Sequence, residues 1–532
     1  MFFREQQILN LRKEVFLISP FAAAFLFTLT FHSIFSPLSF EDDHIYEKIV
    51  HPEMGYFEKY EKHEYYGSLV QFNKLYLRTG RFHPVTLTGV WLIARVTHAN
   101  PVAVHIIIFL FAMTTAVLFF SVLRHLGVSV FPAVLFMFLF LTGRYDEVWW
   151  RTTGETFGMF FLLLSLFFLL LSLRENAGII NGACGIFFLF LSALCKESFI
   201  VLIPVIIAGY MMVPGKNKFI LWGIIFSGLL CLAGLFLTLR GNPAMVPNGI
   251  FSFSKNLLVN NLLHLTGPWP YWLIIAAGVF IYSGKKKNVP ELFLFAATMI
   301  AWILSQLFIY KDIVIFPSCR YLVPGALVVL VFAAVLLEVL KRNMPLLLYR
   351  ILLGALVLFL LLNARNVFVN SYFYGSRAKA YHKMLDTVAG SRPTSLAVVV
   401  GNGECYEFFE STLVQLSRRN INVPVKYMEL FEDQTAILYP DSLLITNTGA
   451  MHLQERKPAT SLWEVLRNDT ALNYVIFTTP AEFGQFKAKD YNKGFGKVLT
   501  FPALYYSASS LNLLHPPFAI QPATLTYTCL KK

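Results

Sequence analysis

From Val15 to Asn363 the sequence is a succession of apolar runs, most of them close to the roughly 20 helical residues needed to cross the hydrocarbon of a bilayer. Inside lipid every backbone N–H and C=O must be satisfied within a helix or a closed barrel. The runs lie near 15–35, 101–123, 129–142, 156–173, 178–195, 198–213, 219–238, 269–283, 291–309, 321–340 and 346–363. Their unbroken apolar character predicts helices, because barrel strands alternate polar and apolar residues. The expected fold class is therefore an α-helical polytopic membrane protein with about eleven transmembrane helices. Composition agrees, with 56% of the 532 residues hydrophobic and only 14% charged.

The net charge of +13 reads as a record of topology, since the cations form small clusters between apolar runs. It predicts no nucleic-acid partner. With the N-terminus in the cytoplasm, Arg12 and Lys13, Arg124 and His125, Arg174, Lys216 and Lys218, Lys285 to Lys287, and Lys341, Arg342 and Arg350 all fall on the cytoplasmic side. An odd number of spans then leaves the C-terminal segment extracytoplasmic, and a bacterial inner membrane is the expected setting. The run from Val15 to Phe35 follows Arg4, Arg12 and Lys13 in the charge order of a signal peptide. Its length and the missing small-residue cleavage site predict an uncleaved anchor.

Two domains are expected. Residues 1–365 form the membrane domain, in which 37–100 make a first outer loop with interfacial helices around 56–77 and 85–96. Residues 366–532 form a small extracytoplasmic α/β domain, with β-like runs at 396–400, 443–445 and 474–478 and a helical pattern over 405–416. The six cysteines show no C-x-x-C spacing, which speaks against a zinc site or a redox pair.

The candidate chemistry gathers in the outer connections. Glu41-Asp42-Asp43-His44 follows the first span; adjacent carboxylates repel one another, which raises the proton affinity of one and suits it to act as a base. Gly80-Arg81-Phe82-His83-Pro84 offers a cation and an imidazole to a phosphate just before a helix-initiating proline. The third connection, Arg144-Tyr145-Asp146-Glu147-Val148-Trp149-Trp150-Arg151, followed by Gly154-Glu155, supplies a second acidic cluster and another cation. Cys195-Lys196-Glu197-Ser198 puts charge between two apolar runs with scarcely any loop around it, at a cost that function or tight pairing must offset. Tyr310-Lys311-Asp312 and Ser318-Cys319-Arg320-Tyr321 bring two more cations to the outer edge, where they can hold a phosphate through charge-assisted hydrogen bonds. Each cluster also has a plainer reading, as a solvated acidic loop, a lipid-headgroup contact or a local ion-pair network. No Gly-rich phosphate loop, His/Glu metal spacing or nucleophile elbow occurs.

In these residues the chain resembles the GT-C superfamily of polytopic glycosyltransferases, the group that includes protein O-mannosyltransferases and the aminoarabinose transferase of lipid A. The likeness covers about the first 365 residues and rests on Asp42-Asp43, on Gly80-Arg81-Phe82-His83-Pro84, on Lys196-Glu197-Ser198, and on Arg320-Tyr321 followed by Pro324. It implies an inverting transferase with a polyprenyl-phosphate sugar donor and a lipid, glycan or protein acceptor. Within that resemblance Asp42 or Asp43 is the base, Asp146 or Glu147 matches the second acidic loop, and Arg320 meets the lipid phosphate. Arg81, His83, Arg144, Lys196, Lys311 and Tyr321 join the donor side, while Glu155 and Glu197 are expected to position substrate or structure. The sequence lacks a clear D-x-D, so a divalent cation is left open and no other cofactor is expected. A transporter or flippase for lipid-linked glycans is the competing reading, and it would call for a polar site at the bilayer midplane.

Overall fold

The computed structural model describes residues 7–38, 44–51, 64–78, 83–143, 146–151, 154–173, 178–200, 202–211, 217–241, 273–277, 323–401, 406–421, 423, 425–430, 435–439, 460–461, 472–479, 497–506 and 522–531. Its helices in chain order are α1 (Gln7–Ile34), α2 (His44–Val50), α3 (Glu64–Gly67), α4 (Leu69–Arg78), α5 (Pro84–Thr97), α6 (Pro101–His125), α7 (Val130–Leu141), α8 (Gly154–Ser172), α9 (Gly178–Ala193), α10 (Glu197–Ile200), α11 (Ile203–Met211), α12 (Lys218–Gly241), α13 (Val323–Asn343), α14 (Leu346–Gly390) and α15 (Tyr406–Arg418). A 3₁₀ turn, Asp146–Trp149, lies between α7 and α8.

Among the described residues six helices are long and apolar enough to cross a membrane: α1, α6, α8, α12, α13 and α14. The protein is a polytopic helical membrane protein. The expected runs at 129–142 and 178–195 form the shorter helices α7 and α9, while 198–213 is divided between α10 and α11, with Pro204 in the first turn of the second piece. The runs at 269–283 and 291–309 lie largely or wholly outside the described residues. The last run, 346–363, does not stop at its apolar end, for α14 continues without a break across residue 365 to Gly390.

The two ends of the bundle differ in chemistry. At one, Arg124 at the end of α6 donates to Glu14 of α1 at 2.8 Å, while Glu338 of α13 accepts from the backbone N–H and the hydroxyl of Ser129, just before α7. Lys341 and Arg342 close α13 at this same end. At the other end α1 finishes against α6 and α14. The ring nitrogen Nδ1 of His105 lies 3.2 Å from the carbonyl of Ile34, and the backbone N–H of Ser33 donates to the Ser371 hydroxyl at 3.1 Å. The C-terminal sheet lies beyond this second end, called the sheet end below.

Small residues set the helix contacts, because neighbouring backbones in lipid gain by close van der Waals approach and by hydrogen bonds. Along α8 and α9 the hydroxyl of Ser192 donates to the Gly158 carbonyl and that of Ser165 to the Gly185 carbonyl, each at 2.8 Å. A tight turn joins α5 to α6, with His98 and Ala99 at φ 51° and 52°, and Asn100 then caps α6 by accepting from the Ala103 N–H at 3.1 Å.

Beyond α14 the described residues form a seven-stranded mixed sheet from β1 (Leu396–Gly401), β2 (Val425–Leu430), β3 (Thr435–Tyr439), β4 (Thr460–Ser461), β5 (Tyr474–Thr479), β6 (Lys497–Tyr506) and β7 (Pro522–Lys531). Its order is β4-β3-β2-β1-β5-β7-β6, with β1 parallel to β2 and β5 and the outer pairs antiparallel. The expected runs 396–400 and 474–478 are β1 and β5, and the helical pattern over 405–416 is α15. Residues 443–445 lie outside the described residues. As befits a central strand covered on both faces, β1 is buried without alternation from Leu396 to Val399.

A Cβ on Gly375 of α14 would stand 2.6 Å from the backbone oxygen of His32, which cannot rotate away. Gly375→Ala is therefore expected to force α1 and α14 apart at a cost of about 1–3 kcal/mol, read as a lower apparent Tm of the detergent-purified protein. An unchanged Tm would show that the two helices do not meet there.

Candidate active site

Three stretches singled out in the sequence meet at the sheet end. The first is the start of α5, where Pro84 fills an opening position that needs no backbone donor and His83 is the preceding cap residue. The second is the connection from Asp146 to Glu155, and the third is Leu194 to Ser198 between α9 and α10. The Thr86 hydroxyl donates to the Cys195 carbonyl at 2.7 Å, which ties the first stretch to the third. The Thr156 hydroxyl lies 2.9 Å from the Val148 carbonyl and 3.1 Å from that of Arg151, which folds the second back on the opening of α8.

The second and third stretches are joined by charge. Lys196 Nζ donates to Oε1 of Glu155 in a direct ion pair. Glu155 has no exposed surface, whereas the Lys196 side chain keeps 14%, so the cation is the member that reaches the surface. Glu155 sits in the first turn of α8, where the helix dipole favours an anion. Gly154 makes the approach possible, since a Cβ there would stand 2.9 Å from the Cys195 carbonyl.

Apolar packing holds the frame. Tyr46 and Ile49 of α2, Phe72 of α4, Leu87, Val90 and Ile93 of α5, Phe157 of α8 and Cys195 share one buried cluster. Cys195 is fully buried in this cluster and packs there as a small apolar group. Trp149, Trp150 and Arg151 are buried just before α8, with the Trp149 ring 5.2 Å from that of Phe140.

The residues named in advance divide accordingly. The structure brings the His83, Glu155 and Lys196 stretches together and starts α10 at Glu197, whose side chain lies outside what is described, as do those of Asp146 and Glu147 in the 3₁₀ turn. Asp42, Asp43, Arg81, Arg144, Lys311, Arg320 and Tyr321 lie outside the described residues. Among the described residues no group of three His, Cys, Asp or Glu side chains gathers to hold a metal.

A second polar network, not expected from the sequence, flanks the acid pair. Glu47 of α2, 1% exposed, accepts from Gln415 and Arg418 of α15. On the other flank His382 Nε2 donates to the Leu38 carbonyl at 2.9 Å, while its Nδ1 accepts from Arg419 at 3.2 Å, a pairing that selects the neutral ring. Arg419 also donates to Asp386 at 2.7 Å. The sequence does not single out Glu47, which stands beside Lys48 in the short α2 with Glu41, Asp42 and Asp43 close before it.

Lys196→Met removes the ammonium from a carboxylate that has no exposed surface, so it is expected to destabilise by about 3–5 kcal/mol. The double variant Glu155→Gln, Lys196→Met should regain most of that loss in a thermal double-mutant cycle. Equal stability of all four proteins would deny the pair any structural role.

No family model matches the chain, and no curated protein matches it. Among solved structures it is similar to ArnT from Cupriavidus metallidurans in the apo state, at 12% identity and a TM-score of 0.49, over 96% of this chain and 97% of that one. It is similar also to the same protein bound to undecaprenyl phosphate, at 12% identity and a TM-score of 0.48, over 96% and 98% of the two chains.

Proposed function

We propose that the protein is an inverting glycosyltransferase that moves a sugar from a polyprenyl-phosphate donor to an acceptor hydroxyl at the extracytoplasmic face of the membrane. One observation carries the reading: a buried carboxylate and a partly exposed lysine meet at one end of a helical bundle, among stretches with the GT-C-like pattern. That height suits such a donor, whose polyprenyl tail stays in hydrocarbon while its phosphate and sugar reach the interface.

In this reaction the acceptor oxygen attacks the anomeric carbon from the face opposite the phosphate. The new glycosidic bond forms as the bond to the phosphate oxygen breaks, and its electron pair leaves with the polyprenyl phosphate. The acceptor proton passes to Asp42 or Asp43, with Asp146 or Glu147 next in order as base. Charge grows on the leaving phosphate, where Lys196, held by Glu155, and Arg320 stabilise it, with Arg81, His83, Arg144, Lys311 and Tyr321 completing the donor side.

Purified protein incubated with a panel of polyprenyl-phosphate sugars should release polyprenyl phosphate with one of them. Asp42→Asn or Asp43→Asn, whichever removes the base, should lower turnover about 10²- to 10⁴-fold while donor binding persists. Near-normal turnover in both would move the base to Asp146 or Glu147. Movement of the intact lipid-linked sugar across the bilayer without release would make the protein a flippase instead.

Arg320→Ala is expected to weaken donor binding by about 1.5–3 kcal/mol, the scale of a hydrogen bond to a charged group. Titration of the donor into the properly inserted variant measures it, and an unchanged affinity removes Arg320 from the site.

A further inference from the structure

A second cation site lies between α1 and α14, sharing no residue with the Glu155–Lys196 pair. His32, Tyr372, Ser376, Lys379 and Lys383 surround a cavity of about 320 Å³, at the lower end of the range of about 300–1,000 Å³ usual for small-molecule sites. Tyr372, Ser376, Lys379 and Lys383 follow the i, i+4, i+7, i+11 spacing of one helix face, which stacks the two ammonium groups one turn apart. Both lysines are exposed, and among the described residues no carboxylate lines the cavity. The nearby Asp386 is taken by Arg419 at 2.7 Å.

The site sits at headgroup depth. From Arg12, at the basic end of α1, to His32 is a rise of about 30 Å, at roughly 1.5 Å per residue, which matches the hydrocarbon thickness of about 30 Å. Aromatic rings line the approach from the lipid side. Phe27, Phe31 and Phe35 form a half-exposed ladder with centroids 5.6 and 5.0 Å apart, and the rings of Phe368 and Tyr372 flank His32 at 5.4 and 4.9 Å. A soluble anion has no use for such a wall, whereas an acyl or prenyl chain can lie along it while its phosphate meets the lysines.

We propose that this cavity binds the phosphate headgroup of a membrane lipid, with its tail laid against the Phe27–Phe31–Phe35 ladder. The site stands whether or not the protein transfers sugar. Native mass spectrometry of the full-length protein in detergent tests it with three probes: dioleoyl phosphatidic acid, dioleoyl phosphatidylcholine and inorganic phosphate. Phosphatidic acid should bind saturably and at least about tenfold more tightly than either other probe, and Lys379→Ala with Lys383→Ala should cut its affinity about tenfold or more. The Lys379→Arg, Lys383→Arg protein should retain binding, and so should the Glu155→Gln, Lys196→Met double variant if the lipid occupies this cavity rather than the first site. Undiminished affinity in the alanine pair overturns the proposal. So does equal binding of phosphatidylcholine, equal binding of inorganic phosphate, or loss of the lipid in a Glu155→Gln, Lys196→Met protein of unchanged Tm.

Discussion

A carboxylate with no exposed surface, set at the end of an apolar helix bundle, can stay ionised only beside a cation, and Glu155 has Lys196. That requirement brings the opening of α8 against the connection between α9 and α10, two places 41 residues apart in the chain. The neighbours then follow. Gly154 lets the backbones approach, Thr86 fastens the opening of α5 to the Cys195 carbonyl, and Thr156 folds the tryptophan-rich turn back onto α8. An apolar pair of similar volume would usually stabilise such a position as well or better, so the pair fixes which backbones meet here more than it adds stability.

The membrane helices are legible in the sequence because lipid leaves the backbone so few options, and the apolar runs mark them directly. What hydropathy misses is where a helix outlasts its apolar run. On α14 the polar residues Asn363, Arg365, Asn366 and Asn370 end the apolar run without ending the helix. The helical period nevertheless continues in buried Ala364, Val367, Ser371, Tyr374, Ala378, Tyr381, Leu385 and Val388, a pattern the sequence did contain. In the sheet, β1 and β5 show as short apolar runs. Strands β6 and β7 carry Pro502 and a succession of threonines, so their pairing comes from partners rather than from hydrophobicity.

The candidate site was legible in part and for a definite reason. A charge beside an apolar run is conspicuous, which is how Lys196 and Glu155 stand out singly. Their pairing is a property of the packed bundle and is not readable from spacing. Glu47 was less visible still, because one acid in a loop rich in acids carries no mark, and its partners Gln415 and Arg418 lie more than 360 residues onward. Leu38 and Glu47, on either side of the Asp42–Asp43 pair, are each held by the helices that lead into and out of β1. The C-terminal segment thereby fixes Leu38 and Glu47 against the end of the membrane domain.

The length of α14 makes that constraint mechanical. Its 45 residues extend about 68 Å at roughly 1.5 Å per residue, more than twice the hydrocarbon thickness of about 30 Å. Half of the helix must therefore be covered by something other than lipid tails. Protein covers it on one side, where Tyr381 donates to or accepts from the hydroxyls of Ser411 and Thr412 at 3.3 and 3.0 Å and the helix packs on β6. On the other side Tyr372, Lys379 and Lys383 remain exposed at the level where the hydrocarbon ends. With no proline to bend it, one helix faces the membrane surface and the sheet at once. Lys379 and Lys383 share two turns of that helix with Tyr381 and His382, so the residues that face the membrane surface and those that hold Ser411, Thr412 and the Leu38 carbonyl belong to one rigid element.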